Sequence, residues 1–227
     1  GYFSQSNQIY APQVTVFANL GTGGWSPGVS SYLGNFADIG WTAMGSFDGD
    51  HLPDLVVSRL VSTGVWRIEA YKNLGNLTFG STPMRATTAT VMSNVSLGAT
   101  SMCAADVTGD GIDDVVVGES WPPVPGQVKR IYVVASQGAS FAAPRAIVNT
   151  LLPGQGPGAL VCADFDCDGD IDLAYGASDL TLRIRPNEGA GLFANGAGFA
   201  EYSMNITAAL NLVAADLNHD GAVDLLA

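Results

Sequence analysis

One short acidic window returns four times along the chain, at residues 45–56, 105–116, 163–174 and 215–226, and the four copies align without gaps. Counting the first loop position as Ser46, Asp106, Asp164 and Asp216, the copies are 60, 58 and 52 residues apart. A period of that size marks one supersecondary unit repeated, because such a unit cannot bury its apolar face alone and must stack on its neighbours. Each window runs into a short apolar stretch: Leu55–Val57, Val115–Val117, Leu173–Tyr175 and Leu225–Ala227. Runs of Val and Leu bounded by turn residues read as buried strands. Further strands follow at Trp66–Tyr71 and Lys129–Val134, then a Gly-containing turn and an aromatic, as in 73–79 and 136–141. No stretch holds a helical period. Four short strands per repeat predict an all-β fold, a β-propeller of four-stranded antiparallel blades, with residues 1–227 as one domain.

The ends of the chain extend this pattern. Reading Ala227 straight into Gly1, the segment from Gln13 to Pro27 parallels that from Trp66 to Pro83. Counting from Asp216 to Ala227 and on from Gly1 to Ser46 gives a spacing of 57, in line with the others. The termini are therefore expected to share one blade. Three arrangements satisfy this: a ring of four blades closed by one chain, eight blades from a homodimer, or a stretch of a longer tandem array.

The windows hold 15 of the 17 Asp residues, in a chain of formal charge -12. Carboxylates packed so densely repel one another unless a cation sits among them. Hard cations such as calcium take six to eight oxygen ligands, and alternate residues of a tight loop point inward. Ligands are thus expected at loop positions 1, 3, 5 and 9, with a backbone carbonyl at 7 and Gly at 6 for the sharp turn. Loop three supplies Asp164, Asp166, Asp168, the carbonyl of Asp170, and Asp172. Loop four supplies Asp216, Asn218, Asp220, the carbonyl of Ala222, and Asp224. Loop two supplies Asp106, Thr108, Asp110, the carbonyl of Ile112, and Asp114. Loop one departs: Asp48, Asp50 and Asp54 are present, but Ser46 stands at position 1 and His51 replaces the Gly, so a weaker or altered site is expected. A helix-loop-helix calcium hand would need Glu at position 12; Val57, Val117, Tyr175 and Ala227 stand there instead.

These loops, together with the aromatic-to-Pro elements at Trp25–Pro27, Phe79–Pro83 and Phe141–Pro144, resemble the FG-GAP/VCBS repeat family, which includes integrin α-subunit propellers and bacterial surface proteins. The resemblance implies blades of four antiparallel strands, a calcium ion in each loop, and an extracellular or cell-surface setting. The last repeat departs from the pattern, with Phe193 and Phe199 but no Pro after them.

Composition narrows the function further. Only two Lys are present, Lys72 and Lys129, so no basic face for nucleic acid is expected. No run of 18 apolar residues suggests membrane insertion, and the opening Gly1-Tyr2-Phe3-Ser4 has no signal-peptide pattern. Outside the loops, the acids are Asp38, Asp179, Glu69, Glu119, Glu188 and Glu201; His51 and His219 lie inside loops. No nucleophile elbow, phosphate loop or zinc spacing occurs, so no catalytic residue is assigned. The expected role is a calcium-stabilised binding or scaffolding module with a carbohydrate or protein partner. The alternatives are a lectin or the non-catalytic accessory domain of a polysaccharide-active enzyme. For a sugar, Trp41, Trp66 and Trp121 are the stacking candidates, Trp121 opening an unmatched Trp-Pro-Pro-Val-Pro segment; for Trp41 and Trp66 a core position is the competing expectation. Cys103 and Cys162, each just before an acidic window and among apolar residues, are expected as buried thiols, with a Cys162–Cys167 bridge as the alternative.

Overall fold

The computed structural model describes residues 12–21, 23–34, 39–62, 65–87, 99–119, 129–151, 159–176, 181–193, 202–205 and 211–227. Its strands are β1 (Gln13–Val16), β2 (Val29–Tyr32), β3 (Ile39–Gly45), β4 (Asp54–Ser62), β5 (Val65–Tyr71), β6 (Arg85–Ala86), β7 (Ala99–Ala105), β8 (Asp114–Glu119), β9 (Lys129–Val134), β10 (Ser136–Gln137), β11 (Ser140–Phe141), β12 (Arg145–Leu151), β13 (Leu160–Ala163), β14 (Asp172–Gly176), β15 (Thr181–Arg185), β16 (Tyr202–Asn205), β17 (Val213–Ala215) and β18 (Asp224–Leu226). No helix occurs among the described residues.

Three repeats form complete antiparallel sheets of four strands in chain order: β3-β4-β5-β6, β7-β8-β9-β12 and β13-β14-β15-β16. Each acidic window is the turn between the first two strands of its sheet, because the apolar run after position 9 pairs back on the strand before position 1. The register repeats: Gly45 faces Asp54, Ala105 faces Asp114, Ala163 faces Asp172 and Ala215 faces Asp224. Of the remaining strands, β10-β11 is a short antiparallel hairpin after β9, and β1-β2 and β17-β18 are two separate antiparallel pairs. These two pairs match the last two and the first two strands of the four-stranded repeat: the isolated bridge Asn19–Trp25 after β1 repeats Asn73–Phe79 after β5 and Asn187–Phe193 after β15.

The core lies between sheets, where second and third strands bury Val, Ile and Leu face to face. Val56, Ile68 and Phe47 of the first sheet meet Val115, Val117 and Phe141 of the second. Val116, Ile131 and Val107 of the second meet Leu173, Tyr175 and Phe193 of the third. Val14, Val16 and Leu33 of the β1-β2 pair meet Leu55, Val57 and Tyr71 of the first. Each sheet thus packs on the next in chain order, and β17 packs on β13 of the third.

One sequence expectation is corrected here. Cys103 and Cys162 are not thiols but a disulfide, with Cα atoms 6.3 Å apart across 59 residues, and Cys167 is the free, exposed cysteine. The reason is the stacking: Cys103 on β7 and Cys162 on β13 lie on the first strands, at the edges, of sheets that pack together, a proximity that sequence distance hides.

Candidate metal centre

The acidic loops share one backbone design. Position 4 has a left-handed backbone in all four, at Gly49 (φ 77°), Gly109 (φ 74°), Cys167 (φ 63°) and His219 (φ 62°). Position 6 does too, at His51 (φ 64°), Gly111 (φ 87°), Gly169 (φ 98°) and Gly221 (φ 92°). Two left-handed residues separated by one turn the chain sharply within each loop; among the described residues the carboxylates brought together are Asp164, Asp166 and Asp172 of loop three, a group that does not include the expected ligand Asp168. Sequence reasoning identified position 6 from its glycines. It missed position 4, where only two of the four residues are Gly.

The carboxylates then hold the loop's own N–H groups. At position 5, Asp50, Asp110, Asp168 and Asp220 each accept the N–H of the residue at position 7, at 2.8–3.0 Å. At position 1, the carboxylates of Asp106, Asp164 and Asp216 accept the N–H of Gly111, Gly169 and Gly221 at position 6. Position 3 accepts the N–H of position 5 from Asp48, Asp166 and Asn218, whereas Thr108 instead donates its own N–H to Asp114. The position 7 residues Ile112, Asp170 and Ala222 are thereby fixed by their N–H.

Position 9 has a role the sequence did not reveal. Asp54, Asp114 and Asp172 are fully buried. One oxygen accepts an N–H from the loop start (Phe47, Thr108 or Phe165), and the other accepts the N–H of Asn73, Ser136 or Asn187 just after the third strand. Each is therefore a clamp joining the loop to the turn beyond the third strand. Burial pushes all three carboxyls up, against the lowering effect of those N–H bonds.

Loop three is the site that best suits a cation. Oxygens of Asp164, Asp166 and Asp172 all lie within 4.8 Å of one another. Asp164 Oδ1 is buried with no hydrogen-bond partner, the state of an anionic oxygen whose partner is not a protein donor. Three convergent carboxylates with one such oxygen fit a hard divalent cation.

Loop one is different in kind. Lys72 Nζ donates to Asp48 and, at 2.9 Å, to Asp50. The ammonium holds Asp50 below the ordinary Asp range and is itself pushed up by the pair. Ala135 and Pro186 stand at the corresponding place in the next two repeats, so this counterion belongs to loop one alone. Asp113 also enters this loop from the neighbouring repeat: its carboxylate accepts the Ser46 N–H at 2.7 Å.

Two stretches of the chain match FG-GAP repeat families. The FG-GAP-like repeat family matches residues 164–227, and the FG-GAP repeat family matches residues 98–134. These matches contain loops two, three and four, whose geometry is given above. Among curated proteins none matches in sequence. Among solved structures, the chain is similar to an Agrocybe aegerita lectin described as recognising non-reducing terminal N-acetylglucosamine, at 13% identity and a TM-score of 0.33. The alignment covers 87% of this chain and 65% of the lectin, and at that TM-score it bears on neither ligand nor mechanism.

The tryptophan candidates separate. Trp66 is 7% exposed and belongs to the core, whereas Trp41 on β3 is 50% exposed. Trp121 lies outside the described residues, as do Asp38, Asp179 and Glu201. Beyond the FG-GAP loops, Glu69 is a buried acid, and it is fully engaged: Arg59 and the Tyr71 hydroxyl donate to it at 2.7 and 2.8 Å, and Arg67 lies at 3.6 Å.

Proposed function

We propose that the FG-GAP loops two, three and four bind calcium and that the chain is a non-catalytic binding or scaffolding propeller module acting outside the cell. The observation that carries this reading is the convergence of Asp164, Asp166 and Asp172 around a buried, unpartnered carboxylate oxygen. Loops two and four repeat the same ligand positions and the same left-handed turns. Calcium there would neutralise like charges and tie the first strand to the clamp at position 9. In loop one, Lys72 supplies positive charge in place of an ion. Millimolar extracellular calcium suits sites of this kind, and the Cys103–Cys162 disulfide supports an oxidising compartment. Isothermal titration of chelated protein tests the reading: three calcium sites are expected, and fewer than two would overturn it.

The half-exposed Trp41 favours a carbohydrate partner, since an aromatic face open to solvent is what a sugar ring stacks on. A glycan array run with the wild type and Trp41→Ala tests this, with binding expected in the first and lost in the second. Equal binding by both would remove Trp41 from the site.

A further inference from the structure

The turn after the third strand of the third repeat, residues 187–193, lies between loops two and three and touches both. Asn187 opens it and is 1% exposed. Its Nδ2 donates to the Val107 carbonyl of loop two at 2.9 Å and to the Ile171 carbonyl of loop three at 3.0 Å. Its backbone N–H donates to Asp172 at 2.8 Å. Val107 sits between the expected ligands Asp106 and Thr108, and Ile171 sits between the Asp170 carbonyl and Asp172. One buried side chain thus holds the backbone of two loops at points flanked by ligands. The rest of the turn follows the same course. Gly189 (φ 90°) and Gly191 (φ 68°) have left-handed backbones. A Cβ at Gly189 would stand 3.4 Å from the Asp170 carboxylate, and one at Gly191 would stand 3.5 Å from the Thr108 methyl and the Val107 carbonyl oxygen.

The counterparts of Asn187 do not reach across. The Asn73 side chain donates to the Pro53 carbonyl of loop one, and the Ser136 hydroxyl donates to the Asp113 carbonyl of loop two, each the loop of its own repeat. Among the described residues, neither bonds to the loop before it. The Phe47 carbonyl of loop one, the counterpart of Val107, accepts from Arg85 instead. Asp113 does join loop two to loop one, but there the Lys72 ammonium stands among the carboxylates. Loops two and three are tied a second time through the strands that enter them. The Cys103–Cys162 disulfide lies three residues before Asp106 and two before Asp164.

We propose that loops two and three bind calcium as one cooperative unit, coupled by Asn187 as a positioning residue. This rests on the calcium reading above. An ion in loop three draws on Asp172 and the Asp170 carbonyl, and so fixes Ile171 between them. Asn187 is bonded to both Asp172 and Ile171, and passes that order to Val107. Loop two then meets its ion with the backbone between Asp106 and Thr108 already set, and less conformational entropy is lost on binding. Linkage makes the effect reciprocal, so an ion in loop two favours loop three by the same factor. Coupling of this kind ordinarily amounts to about 5–150-fold in affinity.

A calcium titration of the chelated whole chain, followed by the amide signals of Gly111, Gly169 and Gly221, tests this. Each of these N–H groups is bonded to the position 1 carboxylate of its own loop, so the three report loops two, three and four separately. Gly111 and Gly169 are expected to respond together, more steeply than independent sites would. Asp166 is exposed, so Asp166→Ala should fold while losing a loop three ligand. It should move the Gly111 midpoint to at least about fivefold higher calcium and leave the Gly221 midpoint in place. Asn187→Ser gives the third repeat the residue that the second has at Ser136. It keeps the backbone N–H to Asp172 and a hydroxyl for Ile171, and loses the bond to Val107. In that background both loops should still fill, but Asp166→Ala should no longer move Gly111; a merely structural residue would weaken the sites and leave that shift intact. Asn187→Ala takes its place if Asn187→Ser does not fold. A Gly111 midpoint indifferent to Asp166→Ala, an equal shift at Gly221, or a shift that survives the Asn187 variant would each overturn the coupling and leave the calcium reading standing. No response of Gly111 and Gly169 in the wild type would remove the calcium reading and the coupling with it.

Discussion

Replacing Asp172 with Ala separates the two roles of position 9. The side chain is fully buried and accepts the N–H of Phe165 at 2.9 Å and of Asn187 at 2.8 Å. Its removal strands two backbone donors, each costing about 1–3 kcal/mol, or roughly 2–6 kcal/mol together, with no metal involved. At about 2–4 °C per kcal/mol for a chain of this size, the melting temperature should fall by roughly 10 °C even in chelator. Asp168 offers the contrast. It is exposed and, among the described residues, accepts only the Asp170 N–H within its own turn, so Asp168→Ala should leave the chelated protein within about 1 kcal/mol of wild type while removing most of loop three's calcium response. The assay is thermal denaturation of both variants, with calcium and with chelator. If Asp172→Ala melts with the wild type in chelator, the clamp is not a structural element and position 9 serves the ion alone.

Four further outcomes follow from the same geometry. Chelation of the wild type should lower the melting temperature, calcium at about 100 times its dissociation constant restoring roughly 2.7 kcal/mol per site, and magnesium restoring less because it demands a tighter six-ligand shell; differential scanning fluorimetry reads both. Reduction of Cys103–Cys162, or Cys103→Ala, should cost roughly 4 kcal/mol on chain-entropy grounds for a loop of this length, measured by urea unfolding. Burial raises the carboxyls of Asp54, Asp114 and Asp172, so in chelator their contribution to stability is full below the ordinary Asp value and is lost as pH rises past the folded one. Calcium needs them ionised, so the melting gap between calcium and chelator should narrow as pH falls towards about 4; a constant gap would refute this. Finally, a Ser46→Asp, His51→Gly, Lys72→Met triple variant should raise the calcium count from three to four by titration.

The loops were legible in the sequence because their chemistry is local. Asp at positions 1, 5 and 9 and Gly at 6 act within nine residues, and periodicity repeats the message until chance is excluded. The same locality placed the strands after each window and the parallel between the first and last segments of the chain. What stayed hidden depends on neighbours brought in by stacking. Cys103 and Cys162 look like two core thiols until β7 and β13 lie side by side. Asp172 looks like a ligand and nothing more until the Asn187 N–H arrives from beyond the third strand and makes it a clamp as well. Trp41 and Trp66 are indistinguishable as letters, and only the sheet decides which faces solvent. Cys167 and His219 at position 4 concealed a left-handed turn because neither is glycine.

Loop one shows how a repeat can lose part of its carboxylate set without losing its turn. Ser46 removes the carboxylate that in loops two to four gathers the N–H at position 6, and His51 takes a backbone angle that favours glycine. Both changes weaken an ion site, yet the position 5 turn and the position 9 clamp persist unchanged. What an ion would otherwise supply, charge among Asp48 and Asp50, comes from the Lys72 ammonium on a tether fixed at the end of β5. A tethered ammonium offers three donors against six to eight coordination positions, so it binds the loop less strongly but cannot be chelated away. The repeat carrying loop one is thus expected to keep its shape at any calcium concentration, whereas under the proposed reading the repeats carrying loops two to four depend on it. Asp48→Ala should therefore have the same small effect with calcium as with chelator, measured by melting, because Lys72 retains Asp50. A calcium-dependent loss in Asp48→Ala would mean that an ion, and not the lysine, holds loop one.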